Sequence, residues 1–236
     1  YDATGCNDSE GDAVGGFPQG VLDLDAALRF VANNPAVNHL PILLFGHSWG
    51  GYSVANVLHF DHDIAGVVSI AAPNSSMEIM VEQGSQMVGS VMHFLRPFAW
   101  LYERISFGAT VSLTAVDALN KANVPALIVH GTDDQVVSYY DSGIINHRGQ
   151  ITNTRVRFMT LDKENHNGHN NILRSREALD YVNSLNAELK VISSQYDGEI
   201  PSEVLAEFFA QIDRNLVNEV NRELMDEINE FFLRYI

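Results

Sequence analysis

Residues 43–54 read LLFGHSWGGYSV, and this stretch decides the fold. The apolar residues at its start do not alternate with polar ones, which predicts a strand buried on both faces. Ser48 follows between Gly46 and Gly50, and from Trp49 onward apolar residues recur at a helical spacing. A serine at a sharp strand-to-helix turn needs small neighbours, because the two elements approach closely there. The stretch therefore predicts an exposed serine hydroxyl, although Gly-x-Ser-x-Gly also occurs in ordinary loops.

The composition limits the class of protein. With 236 residues, 46% of them hydrophobic, the chain can bury a substantial core and is not of a disordered class. Its formal charge of -16 argues against nucleic acid and anionic membrane surfaces as partners. The sequence contains no apolar run of about 18 residues, so it predicts no membrane-spanning helix. The single cysteine, Cys6, excludes an internal disulfide framework.

Strands alternate with helical segments along the chain. Apolar periodicity predicts a helix over residues 20–33. The predicted strands lie at residues 42–45, 64–72, 126–130 and 156–161. This order predicts an α/β fold whose parallel sheet is covered by helices on both faces.

Two later loops supply a candidate acid and a candidate base. HGTDDQVV ends the third predicted strand and carries Asp134, which could also be an ordinary turn or N-cap residue. DKENHNGHNNIL follows the fourth strand and carries His166 and His169, either of which could be an ordinary solvated histidine. With Ser48, the order along the chain is Ser, Asp, His. One of the three common serine hydrolase architectures has that order.

Three motifs together resemble the α/β-hydrolase family. GHSWGG resembles its nucleophile elbow, HGTDDQVV its acid loop, and NGHNN its histidine loop. The resemblance implies an α/β-hydrolase-type, mostly parallel sheet with helices on both faces. It also implies a helical cap insertion and an extra C-terminal helical segment.

The resemblance further implies acyl transfer to water. Ser48 would be the nucleophile, His169 the base and Asp134 the acid that orients it. The backbone N–H of Trp49 would bind the oxyanion. His166 is the alternative base. The implied substrate is a small ester or acyl compound.

Neither a metal ion nor an organic cofactor is expected. His59 and His62 form one closely spaced histidine pair, and His166 and His169 form another. Neither pair has a third ligand at a known zinc spacing.

The same resemblance divides the chain into segments. Residues 1–73 and 124–236 would form the hydrolase core, which would be incomplete at its N-terminus. Residues 74–123 would be a cap, and residues 186–222 a helical insertion in the C-terminal part of the core.

The resemblance also predicts that the strand at residues 42–45, the fifth strand of the family, lacks a neighbouring strand in this chain. YDATGCNDSEG at residues 1–11 resembles the loop after the family's fourth strand, so the strand at residues 42–45 would lack its neighbour. Because this strand is too apolar for an edge, we expect it to be flanked on both sides. Self-association, or a strand from another segment, would supply the second flank.

The predicted cap suggests the substrate. Its large apolar residues would line an adaptable pocket for an acyl chain: Met77, Met80, Met87, Met92, Phe94, Phe98, Trp100, Tyr102 and Phe107. A carboxylic ester is therefore the first expectation. The elbow's extension by Gly51 and Tyr52 also resembles the prolyl-oligopeptidase branch, so a serine peptidase is an alternative. Two others are a catalytically silent binding module and an interaction protein that uses the apolar stripe of residues 202–236.

Overall fold

The computed structural model describes residues 1–236 as nine α-helices and four strands. The helices are α1 (Phe17–Asn33), α2 (Trp49–Asn56), α3 (Ser76–Val88), α4 (Val91–Phe107), α5 (Ala115–Ala122), α6 (Arg176–Gln195), α7 (Ser202–Ala210), α8 (Arg214–Val217) and α9 (Arg222–Phe232). The strands are β1 (Leu43–His47), β2 (Gly66–Ile70), β3 (Ala126–Gly131) and β4 (Val156–Leu161). The predicted helix at residues 20–33 begins earlier, at Phe17, because Pro18 suits the first turn of a helix.

All four strands run parallel in the order β1-β2-β3-β4. Helix α2 connects β1 to β2, and helices α3 to α5 connect β2 to β3. Parallel neighbours need such crossovers, since a short hairpin cannot return the chain to the same end of the sheet. The predicted α/β-hydrolase-type fold is confirmed.

Side chains alternate between two hydrophobic clusters on opposite faces of the sheet. Val67 and Ile128 pack with α1, α2 and α5 on one face. Val68 and Leu127 pack with Phe231 of α9 on the other face. Each fully buried side chain of this kind contributes about 1.5–3 kcal/mol to folding. The central strands therefore read as continuous apolar runs because both of their faces are covered.

Strand β1 lies at the edge of the sheet, and its burial corrects one expectation. It pairs with β2 alone, so within this chain the strand predicted at residues 42–45 lacks a second neighbour, and the flank expected from another segment or copy stays a prediction. Its faces also differ, because Leu44 is buried whereas Phe45 is 47% exposed. The apolar run predicted burial on both faces, but the packing of α9 on this face, which buries Val68 beside it, leaves Phe45 in solvent.

The region at residues 74–123 divides into two parts. Helices α3 and α4 pack on each other, and Ser75 caps α3 by accepting a hydrogen bond from the N–H of Glu78. Helix α5 packs into the main core through Ala118 and Leu119.

The expectation that nine large residues of this region line one pocket is wrong. Phe94 and Phe98 are 80% and 71% exposed, and Tyr102 also faces solvent. Met77 and Met92 are instead buried. The sequence pattern shows that an apolar face exists, whereas the rotation of the helix decides where that face points.

Helices make up the C-terminal part of the chain. After Ser194 the only strand-like contact is an isolated bridge between Arg174 and Val220. The apolar stripe is largely used in packing, since Leu224, Ile228 and Phe231 of α9 are buried against the sheet. None of the helices is both long and apolar enough to cross a membrane.

Candidate active site

The turn between β1 and α2 holds Ser48 in an unusual backbone conformation. Its φ of 56° and ψ of -118° lie outside the regions that residues with a side chain commonly adopt. Such strain is typical of functional turns that the surrounding structure holds in place. The strand before the turn and the helix after it therefore present the hydroxyl of Ser48 at the end of the sheet.

Two of the three glycines in GHSWGG are required by close approach. A Cβ atom on Gly46 would lie 2.2 Å from the carbonyl oxygen of Gly50. On Gly51 it would lie 2.7 Å from the Cβ of Ala72, at the packing contact between α2 and β2. On Gly50 it would meet nothing within 4 Å. Gly51, outside the Gly-x-Ser-x-Gly pattern, is therefore more constrained by space than Gly50.

The structure brings the serine, one histidine and the acid into a continuous chain of hydrogen bonds. The Oγ of Ser48 lies 2.9 Å from Nε2 of His169, and Nδ1 of His169 lies 2.8 Å from Oδ2 of Asp134. Because the carboxylate can only accept, Nδ1 carries the proton and Nε2 is left to accept from the serine. The side chains of His169 and Asp134 are 9% and 0% exposed. This tautomer is the one that can remove a proton from Ser48.

His166, the alternative base, lies away from this chain of hydrogen bonds. It lines a surface cleft together with Lys163 and Glu177. Its backbone N–H donates to the carbonyl of Lys163, three residues earlier.

Asp134 is held by four donors. Its Oδ1 accepts the backbone N–H groups of Val136 and Val137 at 2.9 and 2.8 Å. Its Oδ2 accepts from His169 and lies 3.3 Å from Nε2 of His130. Burial by itself raises the pKa of Asp134, but the hydrogen bonds from His130, His169 and Val137 outweigh it. The net effect lowers the pKa of Asp134 far below its usual value, so the carboxylate stays ionised.

Two histidines beside these residues were not predicted as part of the site. His130 is completely buried and donates from Nε2 to the carbonyl of Val137, while it also approaches Asp134. The Nε2 of His47 lies 2.9 Å from the backbone oxygen of His169, and the two rings are 4.8 Å apart. Burial lowers the pKa of His47, which favours the neutral ring. Their signal in the sequence is their position inside the two motifs, immediately before Ser48 and at the end of β3.

A carboxylate from α3 holds the loop that follows the acid. Glu82 is 9% exposed, and its two oxygens accept the backbone N–H groups of Ser138 and Ser142 at 3.0 Å each. Hydrogen bonds to an ionised group are stronger than neutral ones. Nothing in the sequence pattern around Glu82 indicates this contact, because its partners lie more than fifty residues away.

Trp49 begins α2, so its backbone N–H has no acceptor one turn earlier in the helix. Its indole N–H donates to the carbonyl of Phe17 at 3.0 Å, and the two rings stack with centroids 5.1 Å apart. Helix α1 thus fixes the side chain of the residue that follows Ser48. The free N–H lies at a helix N-terminus, which favours negative charge.

The histidine pair at positions 59 and 62 is bound by other protein groups. His59 contacts the carbonyl of Thr114 at 3.0 Å, and His62 contacts Asp25 at 2.8 Å. Across the chain, no three His, Cys, Asp or Glu side chains form a group that could hold a metal ion.

Comparison of the sequence with known families gives one match over most of the chain. The profile of the prolyl oligopeptidase family matches residues 19–190, a range that includes Ser48, Asp134 and His169. The chain belongs to the prolyl oligopeptidase family. No curated protein matches its sequence significantly.

Solved structures of α/β hydrolases resemble this member of the prolyl oligopeptidase family. The α/β hydrolase GrgF from Penicillium sp. sh18 is 18% identical with a TM-score of 0.50, and the match covers 82% of this chain and 78% of that one. The Pyrococcus furiosus esterase Pf2001 is 14% identical with a TM-score of 0.49, and the match covers 80% of this chain and 66% of the esterase. An α-β serine hydrolase homologue from Coxiella burnetii is 23% identical with a TM-score of 0.43 over 71% of this chain. The chain spans 58% of the length of that homologue.

Proposed function

We propose that the protein is a serine hydrolase that cleaves a carboxylic ester through an acyl-enzyme on Ser48. The observation that carries this proposal is the chain of hydrogen bonds from Ser48 through His169 to Asp134, at 2.9 and 2.8 Å. Membership of the prolyl oligopeptidase family supports it. Structural roles for the same residues would not require a strained serine and an accepting Nε2 at hydrogen-bond distance.

In the first step, Oγ of Ser48 attacks the ester carbonyl while Nε2 of His169 takes the hydroxyl proton. A tetrahedral intermediate forms, and its collapse breaks the bond to the alcohol, which leaves with the proton held by His169. A water molecule then attacks the acyl-enzyme, with His169 again acting as base. The second collapse restores Ser48 and releases the acid. Asp134 stays ionised throughout and stabilises the imidazolium that forms in each step.

The backbone N–H of Trp49 donates to the oxyanion of each tetrahedral intermediate. Its place at the start of α2 supports this role, since it has no acceptor within the helix. One such donor is typically worth about 10²–10³ in rate.

We further propose how the chain divides into a core, a cap and an insertion. Residues 1–73 and 124–236 form the hydrolase core, residues 74–123 form a cap whose last helix, α5, packs on that core, and residues 186–222 form a helical insertion. The packing of α3 on α4 supports the proposal of a cap. Glu82 of α3 connects this cap to the loop after Asp134 by accepting the N–H of Ser138. The unpaired edge of β1 supports the addition of a further strand there, supplied by another segment or another copy of the chain.

A serine peptidase is the second candidate function, because the matching family is that of prolyl oligopeptidase. The same groups would perform the chemistry, with an amine instead of an alcohol as the leaving group. The two candidates differ in the substrate that is turned over and not in the catalytic residues.

The test combines covalent labelling with paired substrates. We expect a fluorophosphonate probe to label the protein once, and Ser48→Ala to abolish both labelling and hydrolysis of p-nitrophenyl butyrate. Ser112→Ala, which changes an exposed serine, is the matched control and should leave both unchanged. Labelling of Ser48→Ala at full stoichiometry would overturn the assignment. A proline-containing peptide p-nitroanilide that is turned over faster than the ester would favour the peptidase.

A further inference from the structure

Two distant parts of the chain place the nucleophile and the base of the proposed hydrolase within hydrogen-bond distance of each other. Ser48 follows β1 directly, and its backbone N–H donates to the carbonyl of Ile70 on β2 at 2.8 Å. His169 instead lies between β4 and the 3₁₀ turn at Asn171–Leu173, in a stretch with no helix or strand. The sheet therefore fixes the nucleophile, whereas the base needs contacts of its own to hold its place.

On one side, the loop that carries His169 is held by the end of β3 and the loop after it. The N–H of Asp133 donates to the carbonyl of Asn167 at 2.9 Å, and the side-chain amide of Asn167 donates to Oγ1 of Thr132 at 3.1 Å. Gly131 lies so close that a Cβ atom on it would overlap the same carbonyl oxygen. None of these contacts involves the turn that carries Ser48.

His47 supplies the contact on the side of the serine. Its Nε2 lies 2.9 Å from the backbone oxygen of His169, and because a carbonyl only accepts, Nε2 carries the proton and donates it. No other hydrogen bond reaches the backbone of His169. The two rings also lie close together, with centroids 4.8 Å apart. His47 is the last residue of β1 and is paired with Ile70, so the sheet fixes this donor together with the serine that follows it.

We propose that His47 is a positioning residue that holds His169 at hydrogen-bond distance from Ser48. The inference rests on the proposed function, because it gives His47 a part in the same catalysis. The Nε2–H of His47 fixes the carbonyl of His169 beside the turn, which keeps the imidazole of the same residue 2.9 Å from Oγ of Ser48. His47 takes no proton in the reaction and acts through the backbone of His169.

The surroundings of His47 favour a neutral donor at this position. Burial is the main reason that the pKa of His47 is lowered, and the nearby rings of His169 and His130 act in the same direction. The hydrogen bond to His169 and the charge of Asp134 oppose this lowering of the pKa without reversing it. A protonated His47 would repel the imidazolium that His169 becomes when it takes the serine proton. A neutral ring can hold His169 without this cost.

The experiment uses substitutions that separate the hydrogen bond of His47 from the shape of its ring. His47→Phe keeps a flat ring without the donor, and we expect it to lower kcat for p-nitrophenyl butyrate about 10²-fold with little change in KM, because a shift of about 1 Å in a catalytic group can cost that much. His47→Gln keeps an N–H near the place of Nε2 and should retain kcat within about threefold. His47→Ala removes the donor without adding volume and should lose as much as His47→Phe, so the test does not depend on whether the larger ring is accommodated.

His59→Phe is the matched control for the loss of a hydrogen bond. His59 is also partly buried, and its Nε2 lies 3.0 Å from a backbone carbonyl, that of Thr114. The bond is of the same kind but involves none of the three proposed catalytic residues. The control should therefore lower Tm about as much as His47→Phe does, while its kcat stays within about threefold of the wild-type value.

The positioning role is wrong if the two donor-free variants keep the wild-type kcat, or if His47→Gln loses as much activity as they do. A shift in the acidic limb of the pH profile of kcat/KM in His47→Gln would mean that His47 acts through its charge, which also overturns the role. Failure of the proposed function looks different, because a fluorophosphonate would then not label Ser48 in the wild type, and the role of His47 would fall with it. A wild type labelled at Ser48, beside fully active donor-free variants, overturns the role of His47 alone.

Discussion

Replacing Asp134 with asparagine tests the proposed mechanism most directly, because it changes one atom of the hydrogen-bonded chain. The Oδ1 of the new side chain can keep the N–H groups of Val136 and Val137. An NH₂ group then stands where Oδ2 accepted from Nδ1 of His169 at 2.8 Å. Because NH₂ only donates, Nδ1 must become the acceptor and the proton moves to Nε2. In that tautomer His169 cannot take a proton from Ser48.

The expected loss is about 10⁴-fold in kcat for ester hydrolysis, by analogy with the same change in other serine hydrolases. At about 1.4 kcal/mol for each factor of ten, this corresponds to roughly 5.5 kcal/mol of transition-state stabilisation. The fold should survive, since the side chain is isosteric. Loss of hydrogen bonds to a buried carboxylate costs about 1–3 kcal/mol, and each kcal/mol lowers Tm by about 2–4 °C in a chain of this size.

Initial rates with p-nitrophenyl butyrate, measured beside thermal unfolding by circular dichroism, separate the two effects. Asp133→Asn is the matched control, since Asp133 is exposed and its side chain hydrogen-bonds only to Gln135. That control should retain activity within about threefold, because surface substitutions rarely perturb the fold. Asp134 does not orient His169 if Asp134→Asn keeps more than a tenth of the wild-type kcat, or if Asp133→Asn lowers kcat as much as Asp134→Asn does.

Three further predictions follow from contacts in and beside the site. Gly51→Ala should lower the yield of folded protein and its Tm, whereas Gly50→Ala should be tolerated, because only the first places a Cβ atom 2.7 Å from another carbon; equal Tm values would contradict this. His166→Gln should leave ester kcat/KM unchanged, since His166 does not contact Ser48; a hundredfold loss would make it the base. Burial raises the pKa of Glu103, although the hydrogen bond from Ser76 opposes this. The stability that the neutral carboxyl contributes is thus present below its ordinary pKa of about 4.3 and is lost as pH rises through the folded value. Relative to Glu103→Gln, the wild-type Tm should therefore fall as the pH rises above the ordinary pKa of about 4.3; parallel Tm curves would contradict it.

The sequence by itself determined the elements and the chemistry-bearing loops. The apolar runs of β2 and β3 are local patterns, and the predicted bounds of the more polar β4 match the structure. Parallel strands end at one edge of a sheet, so loops that follow successive strands converge there. Ser48, Asp134 and His169 could be named for this reason, since each lies in a loop at the end of a predicted strand.

Only the tertiary structure decided which groups touch. His169 and Ser48 are 121 residues apart, and the local sequence does not show that His169 and not His166 reaches the serine. The same holds for His130, which approaches Asp134 from β3, and for Glu82, which binds the acid loop from α3.

Exposure is a further property that the sequence left open. Periodicity shows that α4 has an apolar face and that β1 is apolar, and both were expected to be covered. The structure leaves Phe94 and Phe98 of α4, and Phe45 of β1, in solvent. The physical reason is that amphipathicity is a property of one element, whereas burial depends on what a second element places against it. That second contact is set by long-range packing, such as the hydrogen bond of Glu103 to Ser76, which holds α4 with its apolar side outward.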